Sequence, residues 1–353
     1  MNANGTPADA RSRLRPLAIA YLAVFALLVL AGIAIAIFGN SRSGEPVVRL
    51  QISEGLLGAK PAKLHTQAQA AAATTPQIPA TIVQPIYAGT ALVADPALIE
   101  TTDNGPLPRI GADGRTPLQA YAVPVSDATK PRIAIVISGL GISAKATAAA
   151  LAKLPPQVTL AFAPYAADVQ TWVTQARHQG HEVLLEVPME PFDFPDSDPG
   201  PHTLRSGVAE DANTERLVWA LTRFTGYTGV TNLLGGRLLS DSDSLEPVLT
   251  YLARRGLLFF DNGAATHSAA PDVATRAGVA FAQATLTIDS IQTAMEIDHE
   301  LSELETQARA NGSASGSGFI YPVTIDRVAQ WAQGLSGRGF VLVPASAIVT
   351  PKK

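Results

Sequence analysis

The chain contains no cysteine. Disulfides, thiolate nucleophiles and thiolate metal sites are thereby excluded, and the redox compartment is left open. Excess positive charge is also lacking: a net charge of −4 provides no basic footprint, so nucleic acid is set aside as a partner. No repeat longer than a strand and helix unit is visible. No histidine stands near Ser138 to make a Ser–His pair legible.

What the chain does have is apolar content, 47%, enough over 353 residues for a substantial core in one large domain or two ordinary ones. It is unevenly spread. Leu17 to Phe38 is a 22-residue run without a charge. As a helix it would be about 33 Å long, enough for a hydrocarbon core of roughly 30 Å. This predicts a membrane span, and the weak cleavage signature in AGIAIAIFG favours an uncleaved anchor. Arg11, Arg13 and Arg15 precede the span, while Arg42 and Arg49 follow it. The positive-inside rule narrowly places residues 1–16 in the cytoplasm. The expectation is a single-pass protein of the bacterial inner membrane with its C-terminal domain on the periplasmic side.

Residues 39–130 are rich in Ala, Pro, Thr and Gly, as in QAQAAAATTPQIPATIVQP, and predict a disordered linker. As a flexible coil it would reach roughly 50 Å. From 131 to 349 the pattern changes to short apolar runs alternating with amphipathic ones. Strands are predicted at RIAIVI, VTLAFA, EVLLEV, GVTNLL, LLFFD, TLTID, FIYPV and FVLVP, with helical stretches between them. This alternation predicts an α/β fold with a parallel sheet, doubly wound or closed into a barrel.

Ligands of such sheets bind at the carboxyl ends of strands. After RIAIVI the loop SGLGIS places Ser138, Gly139 and Gly141 there, and G-L-G-I-S-A satisfies a dinucleotide spelling. VTLAFAPY, however, ends in Pro164 and Tyr165 instead of a ribose-binding acid. His178 and His181 are separated by a helix end at Gly180, so their side chains are expected to diverge. In EVLLEV, alternation puts Glu182, Leu184 and Glu186 on one face, with Glu190 on the loop beyond. Asp261 ends LLFFD and Asp289 ends TLTID, positions suited to acid–base work or metal ligation. Both also have plain structural uses: Asp261 opens the turn D-N-G, and Asp289 or Ser290 can cap the next helix. Asn232 adds a polar group to the rim, and Tyr165, Phe192 and Phe194 are aromatic groups for stacking.

The order IAIVISGLG, TLAFAPY, GHEVLLEVPMEP, VTNLLGGR, RGLLFFDNG and TLTID resembles the divergent polysaccharide deacetylase family from Arg132 to Ala347. The resemblance implies a distorted (β/α) barrel of about seven or eight parallel strands, exported or membrane-anchored. It also implies a sugar-polymer substrate, peptidoglycan or another envelope glycan, and metal-assisted removal of N-acetyl groups as the ancestral reaction. Three departures stand out. Ser138–Gly139 replaces two adjacent aspartates, Leu233 replaces an expected histidine, and Ala284–Thr285 replaces Arg-Asp, although Asp289 remains.

Three readings stay open at this point. One is an anchored domain with a degenerate metal site that binds envelope glycan or a protein partner through Ser138, Gly139, Tyr165, Glu190 and Asn232. A second is a working hydrolase with Asp261 or Asp289 as base and a divalent metal such as zinc held among Glu186, Glu190, Asp261 and Asp289. The third is a structural envelope protein whose tether sets a distance from the membrane.

Overall fold

A computed structural model describes residues 94–125 and 129–349. The expected span Leu17–Phe38 and most of the expected linker lie outside the described residues. Among the described residues no helix is long and apolar enough to cross a membrane.

The frame is a curled, half-barrel parallel sheet. Its strands are β3 (Arg132–Leu140), β4 (Thr159–Phe162), β5 (Val183–Met189), β6 (Gly229–Leu234), β7 (Leu258–Asp261), β8 (Ala280–Gln283), β9 (Leu286–Thr287), β10 (Ser313–Phe319) and β11 (Val341–Val343). They run β8-β7-β6-β5-β4-β3-β10-β9, with β11 paired to the start of β3. The strands read as continuous apolar runs because both faces are buried. Ile133, Ile135, Ile137, Leu160, Phe162, Val183, Leu185 and Phe259 point into the helix-covered layer. Val136, Ala161, Leu184, Leu258, Phe260 and Ala282 take the opposite parity and fill the inside of the curl.

Three helices of the outer layer begin where a side chain satisfies a free backbone N–H. Ser143 caps α2 (Ala144–Lys153), Asp241 caps α6 (Ser242–Arg254) and Thr293 caps α8 (Ala294–Asn311). Between these lie α3 (Val169–His178), α4 (Glu210–Leu221), the short α5 (Gly236–Leu239), α7 (Ala270–Ala277) and, last, α9 (Pro322–Gln333). The two open edges of the sheet are joined by a crossover: Ala284 N donates to Asp261 O at 2.8 Å, and Thr285 N donates to Ser315 O at 2.7 Å. At the amino-terminal end of the strands, the turn Ala345–Ile348 closes the curl. Ala345 N donates to Thr159 Oγ1 at 2.9 Å and Ser346 N to Glu182 Oε1 at 3.0 Å.

Three expectations need correction. The stretch 94–125, assigned to the linker, folds as a hairpin, β1 (Ile99–Thr102) and β2 (Gly105–Pro108), followed by α1 (Pro117–Tyr121). It is tied to the barrel by Glu100–Arg255 at 2.5 Å and by Arg177 Nη1 donating to Tyr121 O at 2.8 Å. FIYPV is not a strand, because Pro322 opens α9; the strand is the small-residue run SASGSGF before it. A side chain at Gly316 would meet Ile288 and Leu304 at 2.8 Å, so only a small residue lets β10 pack there. TLTID pairs only through Leu286–Thr287, and β8 carries the preceding edge.

Gly229 sits where a Cβ would collide with the Leu258 backbone on β7. Gly229→Ala is expected to cost about 1–3 kcal/mol in urea unfolding, as overpacking does. Gly278, whose Cβ would meet open space at φ +68, is expected to lose only about 1 kcal/mol as alanine.

Candidate functional site

The carboxyl end of β3 is irregular. Its register with β4 shifts between Ile137 and Leu140, and Gly139 there adopts φ +85. Such a bulge re-aims the backbone. The Gly139 N–H turns to the Glu186 carboxyl on β5 and donates to Oε1. A Cβ on Gly139 would strike the Phe319 ring, which fills the space beside the bulge. Ser138, opposite Phe319 in register, shares the inward parity of Val136 and is 8% exposed. The second loop glycine is also committed: Gly141 N donates to Thr147 Oγ1 at 2.9 Å. With Gly139 and Gly141 N–H groups both held by protein, this loop does not offer the open cradle that a pyrophosphate requires.

Glu186 lies fully inside the curl, and burial pushes its carboxyl up to about 8, against the smaller opposing effect of the Gly139 hydrogen bond. Its Oε2 has no hydrogen-bond partner, and neither has Thr231 Oγ1, the neighbour in register on β6. The other carboxylates are spoken for. Glu190 Oε2 accepts from Ser206 N at 2.7 Å, and its carbonyl receives Arg237 N and Leu238 N at the start of α5. Asp261 has the outward parity of Phe259 and accepts from Gly263 N at 2.9 Å and Gln283 Nε2 at 3.2 Å. Asp289 accepts from Phe319 N at 2.7 Å and Thr324 Oγ1 at 2.8 Å, tying β10 to α9. Burial raises the carboxyls of both aspartates.

The expected metal quartet Glu186, Glu190, Asp261 and Asp289 is therefore corrected. Among the described residues no three His, Cys, Asp or Glu side chains form a group that could hold a metal ion. A catalytic divalent metal needs about three such donors. The residues present do not fit it.

Asn232 is likewise consumed. Its Nδ2 donates to Leu234 O at 2.6 Å and Asn262 Oδ1 at 2.7 Å, and its Oδ1 accepts from Asn262 N at 2.9 Å. With both its donors used, it holds β6 to the turn after β7 instead of reaching a ligand. Nor does Asp289 cap the following helix, a task taken by Thr293. His181 is buried with Nδ1 on Val158 O at 2.9 Å, and burial pushes its imidazole down to about 4. His178 is exposed at the end of α3, so the two do not form a pair.

What the mouth does present is apolar. Ile142, Tyr165, Phe192 and Ile291 are large exposed apolar residues on loops that follow strands, joined by Leu234 at the end of β6 and Met295 in the first turn of α8. Leu234 is held at φ +58, a left-handed conformation that is costly for its side chain, and Gly235 follows at φ +97. Tyr165 is 40% exposed and its hydroxyl accepts from His202 N at 3.2 Å. Phe319, Thr231 and Asn262 escape a reading of the sequence because nothing local ties them to Gly139, Glu186 or Asn232; only Asn262 carries a signal, in its turn D-N-G.

The buried carboxyl has a pH signature. In the fold Glu186 keeps its proton up to about 8, whereas in the unfolded chain it ionises near 4.5. Its contribution is present below about pH 4.5 and is lost as pH rises through about 8. The stability of wild type minus that of Glu186→Gln, measured by urea unfolding from pH 5 to pH 8, is expected to fall by more than about 1 kcal/mol. A flat difference would mean that the carboxyl is ionised in the fold.

Comparison with known proteins gives this architecture a lineage. The uncharacterized protein YibQ of Escherichia coli (strain K12) is 26% identical over 219 residues, covering 62% of this chain and 67% of its own. An uncharacterized protein of Haemophilus influenzae is 25% identical over 194 residues, covering 55% of this chain and 68% of its own. The crystal structure of an uncharacterized protein from Agrobacterium tumefaciens C58 superposes with a TM-score of 0.68 at 40% identity, covering 69% of this chain and all of that one. The family model for divergent polysaccharide deacetylases matches residues 135–349, nearly the whole barrel, and the chain belongs to that family.

Proposed function

We propose that this deacetylase-like domain engages an envelope polysaccharide at the mouth of its curled sheet, and that metal-assisted hydrolysis of the family's kind does not run there. The observation that carries this reading is the packing at Gly139. Where the family resemblance implies a pair of carboxylates, the backbone N–H is bound to Glu186 and the space for a side chain is filled by the Phe319 ring. The mouth is rimmed by Tyr165, Phe192 and Leu234, groups that lie well against the C–H faces of sugar rings. Ser138, on β3 opposite Phe319, is a polar group at the same end of the sheet.

In the same reading Leu17–Phe38 anchors the chain in the inner membrane and the domain works on the periplasmic side, against peptidoglycan or a related polymer. Support for this part comes from the apolar run and its arginines alone.

Two assays on the full-length protein test the proposal. The protein is expected to cosediment with purified peptidoglycan sacculi and to release no acetate from them after equilibration with zinc, manganese or nickel. Metal-dependent acetate release that disappears in Asp261→Asn or Asp289→Asn would restore the hydrolase. Failure to sediment with sacculi would remove the carbohydrate.

A further inference from the structure

Beside Tyr165 lies a cavity of about 330 Å³ lined by residues that include Asn104, Pro201, His202, Glu215, Arg216 and Trp219. That is the small end of the range of roughly 300–1,000 Å³ found for ligand sites. Its plate is aromatic. The His202 imidazole lies parallel on the Trp219 indole, with centroids 3.7 Å apart and planes 7° apart. Tyr165 extends the strip, its ring 5.0 Å from that of Trp219. Burial, then Arg223 and Arg216, lower the pKa of His202, so the plate is uncharged at neutral pH.

Around the plate stand an amide, a carboxylate and a guanidinium, from Asn104, Glu215 and Arg216. Arg216 gives one Nη1 donor to Asn213 Oδ1 at 3.3 Å, out of the five N–H groups that a guanidinium carries. Within the lining Glu215 offsets Arg216, while Arg223 lies over the Trp219 ring at 5.2 Å and donates to Pro164 O at 3.3 Å, so the lining itself carries no net charge to favour a strongly anionic or cationic ligand. A flat apolar face edged by donors and acceptors is the complement of a pyranose, whose C–H bonds face the negative π-surface while its hydroxyls lie at the edge.

We infer that this cavity is a second glycan subsite, adjoining the mouth on its Tyr165 side, that takes a neutral pyranose unit against the His202–Trp219 stack. The inference rests on the carbohydrate reading above and adds a position and a chemistry to it. Asn104 comes from the turn between β1 and β2, outside the residues 135–349 that the family model matches. The subsite is therefore partly built by a segment outside the matched residues.

The test uses the full-length protein, with the β-1,4-linked hexamer of N-acetylglucosamine as probe and tryptophan emission as readout, Trp172 and Trp331 supplying the background. A saturable emission change is expected, absent in Trp219→Phe. His202→Ala and the milder Glu215→Gln are expected to weaken binding roughly tenfold, the size of one lost stacking or polar contact. Both side chains reach the surface, and melting curves check that the variants fold. Phe192→Ala, on the mouth, is expected to weaken sacculus binding and retain the emission change. Loss of the response in Phe192→Ala with wild-type binding in His202→Ala and Glu215→Gln would overturn the subsite and leave the mouth standing. No response in any form would overturn the subsite, while sacculus sedimentation still judges the mouth. Equal competition by polygalacturonate would overturn the neutral ligand class.

Discussion

The hydrogen bond from Gly139 N–H to the Glu186 carboxyl is the contact around which the mouth is organised. It goes with a bulge in β3 and a glycine at positive φ, and it opposes in part the burial that raises the Glu186 carboxyl. These features propagate. The bulge turns Ser138 and the backbone toward Phe319, whose N–H is in turn held by Asp289, and Asp289 also binds Thr324 at the start of α9. Three elements distant in sequence are thereby fixed by two buried carboxyls. Burying a carboxyl is tolerable when hydrogen bonds replace water, and costly when one oxygen is left over. Glu186 Oε2 is left over, so the centre of the mouth carries an unmet polar demand.

This arrangement leaves no room for the pair of carboxylates that the family resemblance implies at Ser138–Gly139. A carboxylate at position 139 would need both the space of the Phe319 ring and a backbone conformation that disfavours any side chain. The remaining acids have become struts: Glu190 seats α5, Asp261 closes the turn after β7, and Asp289 joins β10 to α9. The rim around them has become apolar, with the strained Leu234 exposed where a polar loop would be the cheaper solution.

Most of the barrel is legible in the sequence because strands buried on both faces read as unbroken apolar runs, as in RIAIVI and EVLLEV. The failures have physical causes. SASGSGF is a strand without the composition of one, since β10 must pass close to Ile288 and Leu304 and only small residues fit. The hairpin at 99–108 was hidden by the Pro- and Thr-rich composition that it shares with the preceding stretch. At the site, local position identified Glu186, Glu190, Asp261 and Asp289, but parity and partners are three-dimensional facts. Asp261 points to the outer layer and Asn232 spends its amide on Asn262, and neither can be read from the residue alone. His202 and Trp219, 17 positions apart across a loop and a helix, meet only through the fold.

The order of strands has a consequence for synthesis. The barrel's first strand, β3, is flanked at its start by β10 on one edge and β11 on the other, the last two strands of the chain. Only the later part of β3 pairs with its sequence neighbour, β4. A growing chain therefore holds an apolar strand with its leading half unpaired until β10 and β11 have been made. Contacts of such long sequence separation form late. Closure of the sheet around β3 therefore waits on β10 and β11.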